Sequence, residues 1–154
     1  MTRLLHTLLT VLWGLWFGGL VMLFIAVQSL FHTFATRHDV AGMAASDIFQ
    51  QFNRLRLAVA AGALLFCFML WLKGRSKATM WCFVFLGVAA GAAVLGTAIL
   101  TPRIEQLRLA GQTFTTEFKH LHGESMATYL TETLLVLVAG LLMTPPEKKA
   151  VPVE

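Results

Sequence analysis

The chain has 154 residues, of which 57% are hydrophobic and 13% are charged, and its formal net charge is +4 at pH 7. Soluble domains have about 25% charged residues, so this composition excludes an ordinary water-soluble globule, and its hydrophobicity excludes a disordered chain. The lysines and arginines are scattered, which favours the flanks of membrane spans over nucleic-acid binding. The sequence therefore predicts an all-α integral membrane protein.

The first span is predicted at about residues 8–34, within an uncharged run from Leu4 to Thr36. A transmembrane helix needs about 20 mainly apolar residues, which this run provides. A secretory signal has an apolar region of only about 7–15 residues. The longer run is therefore expected to remain as an uncleaved anchor.

The second span is predicted at about residues 54–72, with the side chains of Arg54 and Arg56 snorkelling outwards. Just before it, apolar residues recur at helical spacing over residues 47–56. This pattern predicts an amphipathic helix that leads into the span.

The third span is predicted at about residues 78–100 and is expected to end at Thr101-Pro102, because proline disfavours helical geometry in the residue before it. Apolar and charged residues are interleaved in the following segment, residues 101–119. This segment predicts helix extensions that are joined around Gly111 and lie at the bilayer surface.

The fourth span is predicted at about residues 124–143, and it carries Glu132 inside the membrane. A carboxylate in this position is costly unless it is paired, hydrated or protonated, so Glu132 is a functional-site candidate by default. Its expected partners are Gln28, Thr128 and Tyr129.

The four spans form one predicted transmembrane domain, residues 1–144, followed by a polar tail at residues 145–154. The termini and the short loop 73–77 share one side of the membrane, called side A, and the longer connections lie on side B. Each side carries six lysines and arginines, and only their density in loop 73–77 favours a cytoplasmic side A. We therefore expect cytoplasmic termini in a bacterial inner membrane, with an aromatic belt of all four tryptophans towards side A.

Two Gly-x-x-x-Gly pairs predict close helix packing, since small residues let helix backbones approach in a membrane. The predicted packing residues are Gly14, Gly18, Gly87 and Gly91. Cys67 and Cys82 lie in apolar runs without a partner at zinc spacing, so they are predicted to be buried small hydrophobes, and no metal site is predicted.

Helical periodicity predicts a polar cluster near side B. Two polar residues of span one share the stripe of Gly14 and Gly18, and the polar seam of span four occupies an arc of about 80°. Because the two spans are antiparallel, these groups arrive at similar depth, together with an arginine just after Pro102. The predicted cluster comprises Gln28, His32, Arg103, His122, Ser125, Tyr129 and Glu132.

Several chemistries can be tested on this cluster. Non-covalent haem or quinone binding would use His32 and His122, because the chain has no C-x-x-C-H attachment signal. Metal passage would need a methionine ladder, which the sequence does not show. Hydrolysis is rejected, because His122 and Ser125 lie on one continuous helix without a nucleophile elbow. No cofactor and no catalytic residue is predicted.

Five segments carry a resemblance to a known family: Trp13 to Gly18, AVQSLF at residues 26–31, FQQFNRL at residues 49–55, TPRIEQLR at residues 101–108 and FKHLHGES at residues 118–125. In these segments the chain resembles the transmembrane protein 205-like family, over about residues 8–143. The resemblance implies a four-span membrane bundle and little about function, since the family is largely uncharacterised. The family motif has an asparagine four residues after the serine, where this chain has Tyr129.

Two classes of function follow. The first is a non-enzymatic accessory subunit, favoured by small size, broad apolar faces and the lack of a catalytic signature. Its expected partners are the lipid bilayer and other membrane protein subunits. The alternative is a small ion, proton or metal-related carrier that uses Glu132 and the side-B polar cluster. The histidine-based haem or quinone protein is a further alternative.

Overall fold

The computed structural model describes residues 2–143, and these residues are helical apart from short connections. The predicted polar tail, residues 145–154, lies outside the described residues. The elements in chain order are α1 (Thr2–Thr33), α2 (His38–Gly74), α3 (Lys77–Leu95), a π-helical turn (Gly96–Leu100), α4 (Thr101–Leu109) and α5 (Thr116–Met143).

Four helical stretches are long and apolar enough to cross a membrane, and the third runs from α3 through the π-helical turn to the end of α4. Helix α1 packs on α2, α2 on α3, α3 on α5, and α5 on α1. These contacts close a ring of four helices. The predicted all-α, four-span bundle is confirmed.

The helices extend further than the predicted spans. Helix α2 has 37 residues and is about 55 Å long, whereas the hydrocarbon core of a bilayer is about 30 Å thick. It continues through the segment 47–56 without a break, as a helix that leads into the span. The side-B ends of the helices and their connections, residues 34–47 and 101–123, form what we call the side-B head.

Gly111 joins α4 to α5, as predicted. Its φ is +71°, a left-handed conformation that glycine adopts without steric cost. The Gly111 N–H donates to the Arg108 carbonyl at 3.0 Å, and the Gln112 N–H donates to the Leu107 carbonyl at 2.9 Å. This pair of bonds is a Schellman motif, which satisfies the last carbonyls of α4.

Pro102 does not end the helix, so the predicted helix end at Thr101-Pro102 is wrong, while the span bounds 78–100 stay a prediction. In a regular α-helix the proline ring would clash with the carbonyl of residue 98. Immediately before it the helix widens into the π-helical turn, in which the Thr101 N–H donates to the Gly96 carbonyl five residues earlier. The altered ladder accommodates the proline, and the helix continues into α4.

The predicted packing glycines do not mediate contacts within the bundle. A Cβ added at any of the four would meet no heavy atom of the described residues within 4 Å, apart from its chain neighbours and the backbone of its own helix. The four are Gly14, Gly18, Gly87 and Gly91. The Gly-x-x-x-Gly spacing identifies a stripe on a helix but does not say whether that stripe faces a neighbour. In this protein none of the four glycines lies in close contact with a neighbouring helix.

Other glycines provide the close approaches between helices. A Cβ at Gly140 would lie 2.2 Å from the ring of Trp13, and one at Gly19 would lie 2.8 Å from the ring of Phe52. Each glycine therefore makes room for an aromatic ring from the neighbouring helix. Cys67 and Cys82 are buried in the same core, as predicted.

Candidate functional site

Glu132 lies in the second half of α5, away from its ends, and only 1% of its surface is exposed. Both carboxylate oxygens accept hydrogen bonds. The indole Nε1 of Trp16 donates to Oε1 at 2.9 Å, and Nη1 of Arg56 donates to Oε2 at 3.0 Å. The membrane carboxylate is therefore paired with an arginine.

Arg56 continues this network across the bundle. Its Nη2 donates to the Thr97 hydroxyl at 2.8 Å and to the Ala93 carbonyl at 3.3 Å, and its guanidinium lies 5.8 Å from the centre of the Phe52 ring. Arg56 is 5% exposed, so the prediction that it snorkels outwards is wrong. Its side chain points inwards because Glu132 supplies the opposite charge there.

Each of the four spanning stretches contributes one side chain to this network. Trp16 comes from α1, Arg56 from α2, Thr97 from the π-helical turn and Glu132 from α5. We call these four residues the clamp. Because a buried charge is tolerated only with good geometry and satisfied partners, the clamp restricts how the four helices can rotate and shift against one another.

Two further bonds join α1 to α5 beside the clamp. The Trp13 indole donates to the Val136 carbonyl at 2.7 Å, and the Tyr129 hydroxyl donates to the Leu20 carbonyl. The prediction that Trp13 and Trp16 belong to a membrane-interface belt is therefore wrong. Their polar N–H groups instead serve the interior, where lipid offers no acceptor.

The predicted partners of Glu132 are wrong. Gln28 is exposed, the Thr128 hydroxyl donates to the Glu124 carbonyl on its own helix at 2.8 Å, and Tyr129 bonds to α1. The prediction that the Gly14, Gly18 and Gln28 stripe of α1 faces the bundle is wrong, because Trp16 and Leu20 face inwards instead. Helical spacing shows which residues share a face, but it does not show which face is inside.

The predicted side-B polar cluster does not assemble. Ser125 is half-buried, and four other members are exposed: Gln28, His32, Arg103 and His122. His122 stacks on Phe118 of its own helix, with 6.0 Å between the ring centres. Of the seven residues in the predicted cluster, only Tyr129 and Glu132 make contacts in the bundle interior. Over residues 2–143, no group of three His, Cys, Asp or Glu side chains could hold a metal.

The sequence contained a signal for Arg56 that the prediction did not use. Arg56 shares the periodicity of the buried apolar residues Val59, Ala63 and Cys67, whereas Arg54 falls on the exposed face. An acid in the fourth span requires a cation, and Arg56 was the candidate in phase with a core stripe. Trp16 and Thr97 carried no comparable signal, since neither residue type requires a charged partner.

Two buried polar atoms of α2 are unsatisfied, and one of them belongs to the clamp residue Arg56. Within the described part of the chain, Nε of Arg56 and Oδ1 of Asn53 have no hydrogen-bond partner, although both residues are buried. They lie one turn apart on α2. Buried polar atoms are normally paired, so such exceptions need an explanation.

A groove of about 590 Å³ lies between α1 and α2, beside the clamp. Three glycines of α1 line it, at positions 14, 18 and 19, together with Phe52 and other apolar side chains. Arg56 is the one charged residue among the described residues that line it. Leu15, Met22 and Leu55 also line the groove and are largely exposed, so it opens to the lipid.

The fold and the clamp define the class: this is a four-helix integral membrane protein with a buried ion pair. Residues 11–113 match the sequence model of a domain of unknown function, DUF4149, so the chain belongs to this family. The match includes Trp16, Arg56 and Thr97 and ends before Glu132. No curated protein and no solved structure matches the chain.

Proposed function

We propose that this protein is a non-enzymatic accessory subunit that packs against a larger membrane protein complex through its side-B head. The observation that carries the proposal is the apolar tip of this head. Phe114 is 90% exposed and Leu109 is 74% exposed, and they flank Gly111 at the end of α4. Large exposed apolar side chains outside the hydrocarbon favour contact with a partner.

The position of this tip follows from helix length. The stretch from Lys77 to Leu109 has 33 residues and is about 50 Å long. At a usual tilt of about 20° it still spans more than the hydrocarbon thickness of about 30 Å. Since it starts beside the side-A loop, this length would carry Leu109 and Phe114 past the hydrocarbon on side B.

The clamp supports a binding role rather than a transport role. Both oxygens of Glu132 are bonded inside the bundle, and the carboxylate is closed off from water. A carrier site must release its internal partners to take up cargo. The clamp instead joins four helices, which suits a rigid subunit.

The finer assignments rest on the sequence. The basic loop 73–77 supports a cytoplasmic side A, and we place the protein in a bacterial inner membrane with its side-B head on the opposite side. The segments at residues 101–108 and 118–125 support a closer relationship to the transmembrane protein 205-like family.

The test is isolation of the full chain from its native membrane in mild detergent, followed by mass spectrometry. The wild type should run as part of a larger complex, and the double variant Leu109→Ser, Phe114→Ser should lose the partner. The matched control is Gln112→Ser, since Gln112 is an exposed polar residue of the same turn. A wild-type chain that runs alone contradicts the accessory role, and a double variant that keeps its partner excludes the tip as the docking surface.

A second candidate function is a proton, ion or metal-related carrier built on Glu132. The observation in its favour is the pair of unsatisfied atoms, Arg56 Nε and Asn53 Oδ1, for which the described residues provide no partner. A hydrated intermediate could use both atoms during transfer. For this candidate, a folded Glu132→Gln variant in proteoliposomes should lose proton or cation uptake. Uptake by this variant at the wild-type rate would eliminate the carrier function.

A further inference from the structure

We propose that the side-A loop, residues 73–77, binds the phosphate headgroups of anionic phospholipids in the adjoining leaflet. Three of its five residues are basic, namely Lys73, Arg75 and Lys77. All three side chains are exposed, and none of them forms an ion pair with an acid of residues 2–143. The described chain therefore leaves this positive charge uncompensated, and an anionic membrane surface attracts it.

The excess positive charge of the protein is confined to this end of the bundle. The side-B head has four lysines and arginines and four acids, so its side chains carry no net charge at pH 7. The side-A ends of the described helices, residues 2–10, 68–86 and 134–143, contain no acid and four basic residues: Arg3, Lys73, Arg75 and Lys77. The charges of all other segments cancel, so the formal net charge of +4 is that of side A alone.

The position of the loop brings this charge to the depth of the lipid phosphates. The apolar run of α2 ends at Leu72, and that of α3 begins at Ala78. Lys73 lies in the last turn of α2, and Lys77 is the first residue of α3. So short a connection cannot carry the basic side chains away from the membrane. Trp81, one turn further along, is about half exposed, as is typical of a tryptophan at the headgroup level.

Arg75 has a backbone conformation that fixes the direction of its side chain. Its φ is +46°, a left-handed conformation that glycine adopts more readily than arginine. The guanidinium lies 5.8 Å from the centre of the Trp71 ring, one turn earlier on α2, and no hydrogen bond joins it to residues 2–143. Guanidinium N–H groups match phosphate oxygens in a bidentate pair. The costly backbone conformation is therefore explained by a role for the side chain at the membrane surface.

An acidic protein surface has the same charge but suits this loop less well. The apolar side chains that border the loop, Leu72 and Met80, are 48% and 39% exposed, so lipid chains must cover them. The headgroups of those lipids then lie directly beside the basic residues. A protein partner would first have to displace these lipids, whereas an anionic phospholipid satisfies the apolar and the basic side chains together.

The test uses the full chain in phosphatidylcholine vesicles that contain a minor share of phosphatidylglycerol with brominated acyl chains. Bromine quenches tryptophan fluorescence on contact, and Trp71 and Trp81 lie next to the loop. In reference vesicles the same share of phosphatidylcholine carries the bromine instead. The ratio of quenching gives the preference for the anionic lipid, and the wild type should prefer phosphatidylglycerol. Since both leaflets contain the probe, the result does not depend on orientation.

The decisive variant removes the charge of the loop: Lys73→Gln, Arg75→Gln, Lys77→Gln. Each basic residue near an anionic surface changes the affinity by about fivefold, so this variant should lose most of the preference. The matched control removes the same charge from exposed side chains of the side-B head and should keep the preference: Arg37→Gln, Arg103→Gln, Lys119→Gln. Retained preference in the loop variant, or an equal loss in both variants, overturns the proposal.

Arg75→Gly separates the charge from the fold. Glycine adopts the left-handed conformation without strain, so this variant should be at least as resistant to detergent unfolding as the wild type. Its preference for phosphatidylglycerol should nevertheless fall by about fivefold. An unchanged preference would mean that the guanidinium does not meet the headgroups, which overturns its part in the site.

Two further conditions identify the interaction. Raising the salt from about 0.1 M to about 1 M shortens the Debye length from about 10 Å to about 3 Å and should reduce the preference. A preference that survives this salt would come from the acyl chains and would contradict the proposal. Inorganic phosphate at constant ionic strength should leave the preference unchanged, and displacement of the lipid by phosphate would assign the loop to a soluble anion instead.

The inference is independent of the proposed accessory role. The Leu109→Ser, Phe114→Ser variant changes the opposite end of the bundle, so it should keep the lipid preference even where it loses the partner complex. The loop variant should conversely keep the partner complex. Loss of that complex without any change in lipid preference would assign the loop to an acidic protein partner and overturn the lipid site.

Discussion

Removing one charge of the Arg56–Glu132 ion pair should destabilise the bundle more than removing both charges. In a Glu132→Leu variant, Arg56 Nη1 and Trp16 Nε1 lose their acceptor inside the membrane. Removing one member of a buried ion pair costs about 3–5 kcal/mol, because the other charge stays buried without compensation. We expect a loss of this size in the free energy of unfolding.

The double variant Arg56→Met, Glu132→Leu removes both charges together. It leaves the Trp16 indole N–H without its acceptor and the Thr97 hydroxyl without the donor that it accepts from. A buried polar group that loses its partner costs about 1–3 kcal/mol. Better apolar packing offsets part of this cost, as happens when buried ion pairs are replaced by hydrophobic residues. The double variant should therefore be more stable than Glu132→Leu alone.

The assay is equilibrium unfolding of the purified chain in mixed micelles with increasing denaturing detergent, followed by circular dichroism. The four free energies form a double-mutant cycle for wild type, both single variants and the double variant. Thr131→Leu is the control, since Thr131 is the exposed neighbour of Glu132. If Glu132→Leu is as stable as wild type, or if the two single losses add in the double variant, then the ion pair does not couple α2 to α5.

Three further predictions concern the packing of the bundle. Gly140→Ala places a Cβ against the ring of Trp13 and should lower the unfolding midpoint, whereas Gly91→Ala should not, and equal midpoints would contradict the assigned contact. Gly111→Val forces a β-branched residue into a positive φ and should cost about 1–3 kcal/mol in the same unfolding assay; an unchanged free energy would argue against this turn. Cys67 and Cys82 are buried, so a hydrophilic maleimide should label them only after unfolding, and rapid labelling of the native protein would refute their burial.

The sequence was sufficient for the architecture because membrane insertion depends on local composition. About 20 consecutive apolar residues satisfy the length of a span wherever they occur, so the four helices could be located without knowledge of their neighbours. The junction at Gly111 could also be predicted, because a glycine between two helical patterns is typical of a helix end. Glu132 stood out for a similar reason, since an acid in a span is costly in any fold.

The tertiary structure decided which residues face one another. Periodicity placed Gly14 and Gly18 on one stripe of α1, but only the rotation of α1 against α2 and α5 shows that the stripe faces a groove and that Trp16 faces Glu132. In a soluble bundle the apolar face of a helix indicates its inside. In a membrane nearly all faces are apolar, so the rotation of each helix depends on a few polar contacts between helices distant in sequence. Arg56 and Glu132 make such a contact, and they are separated by 76 positions.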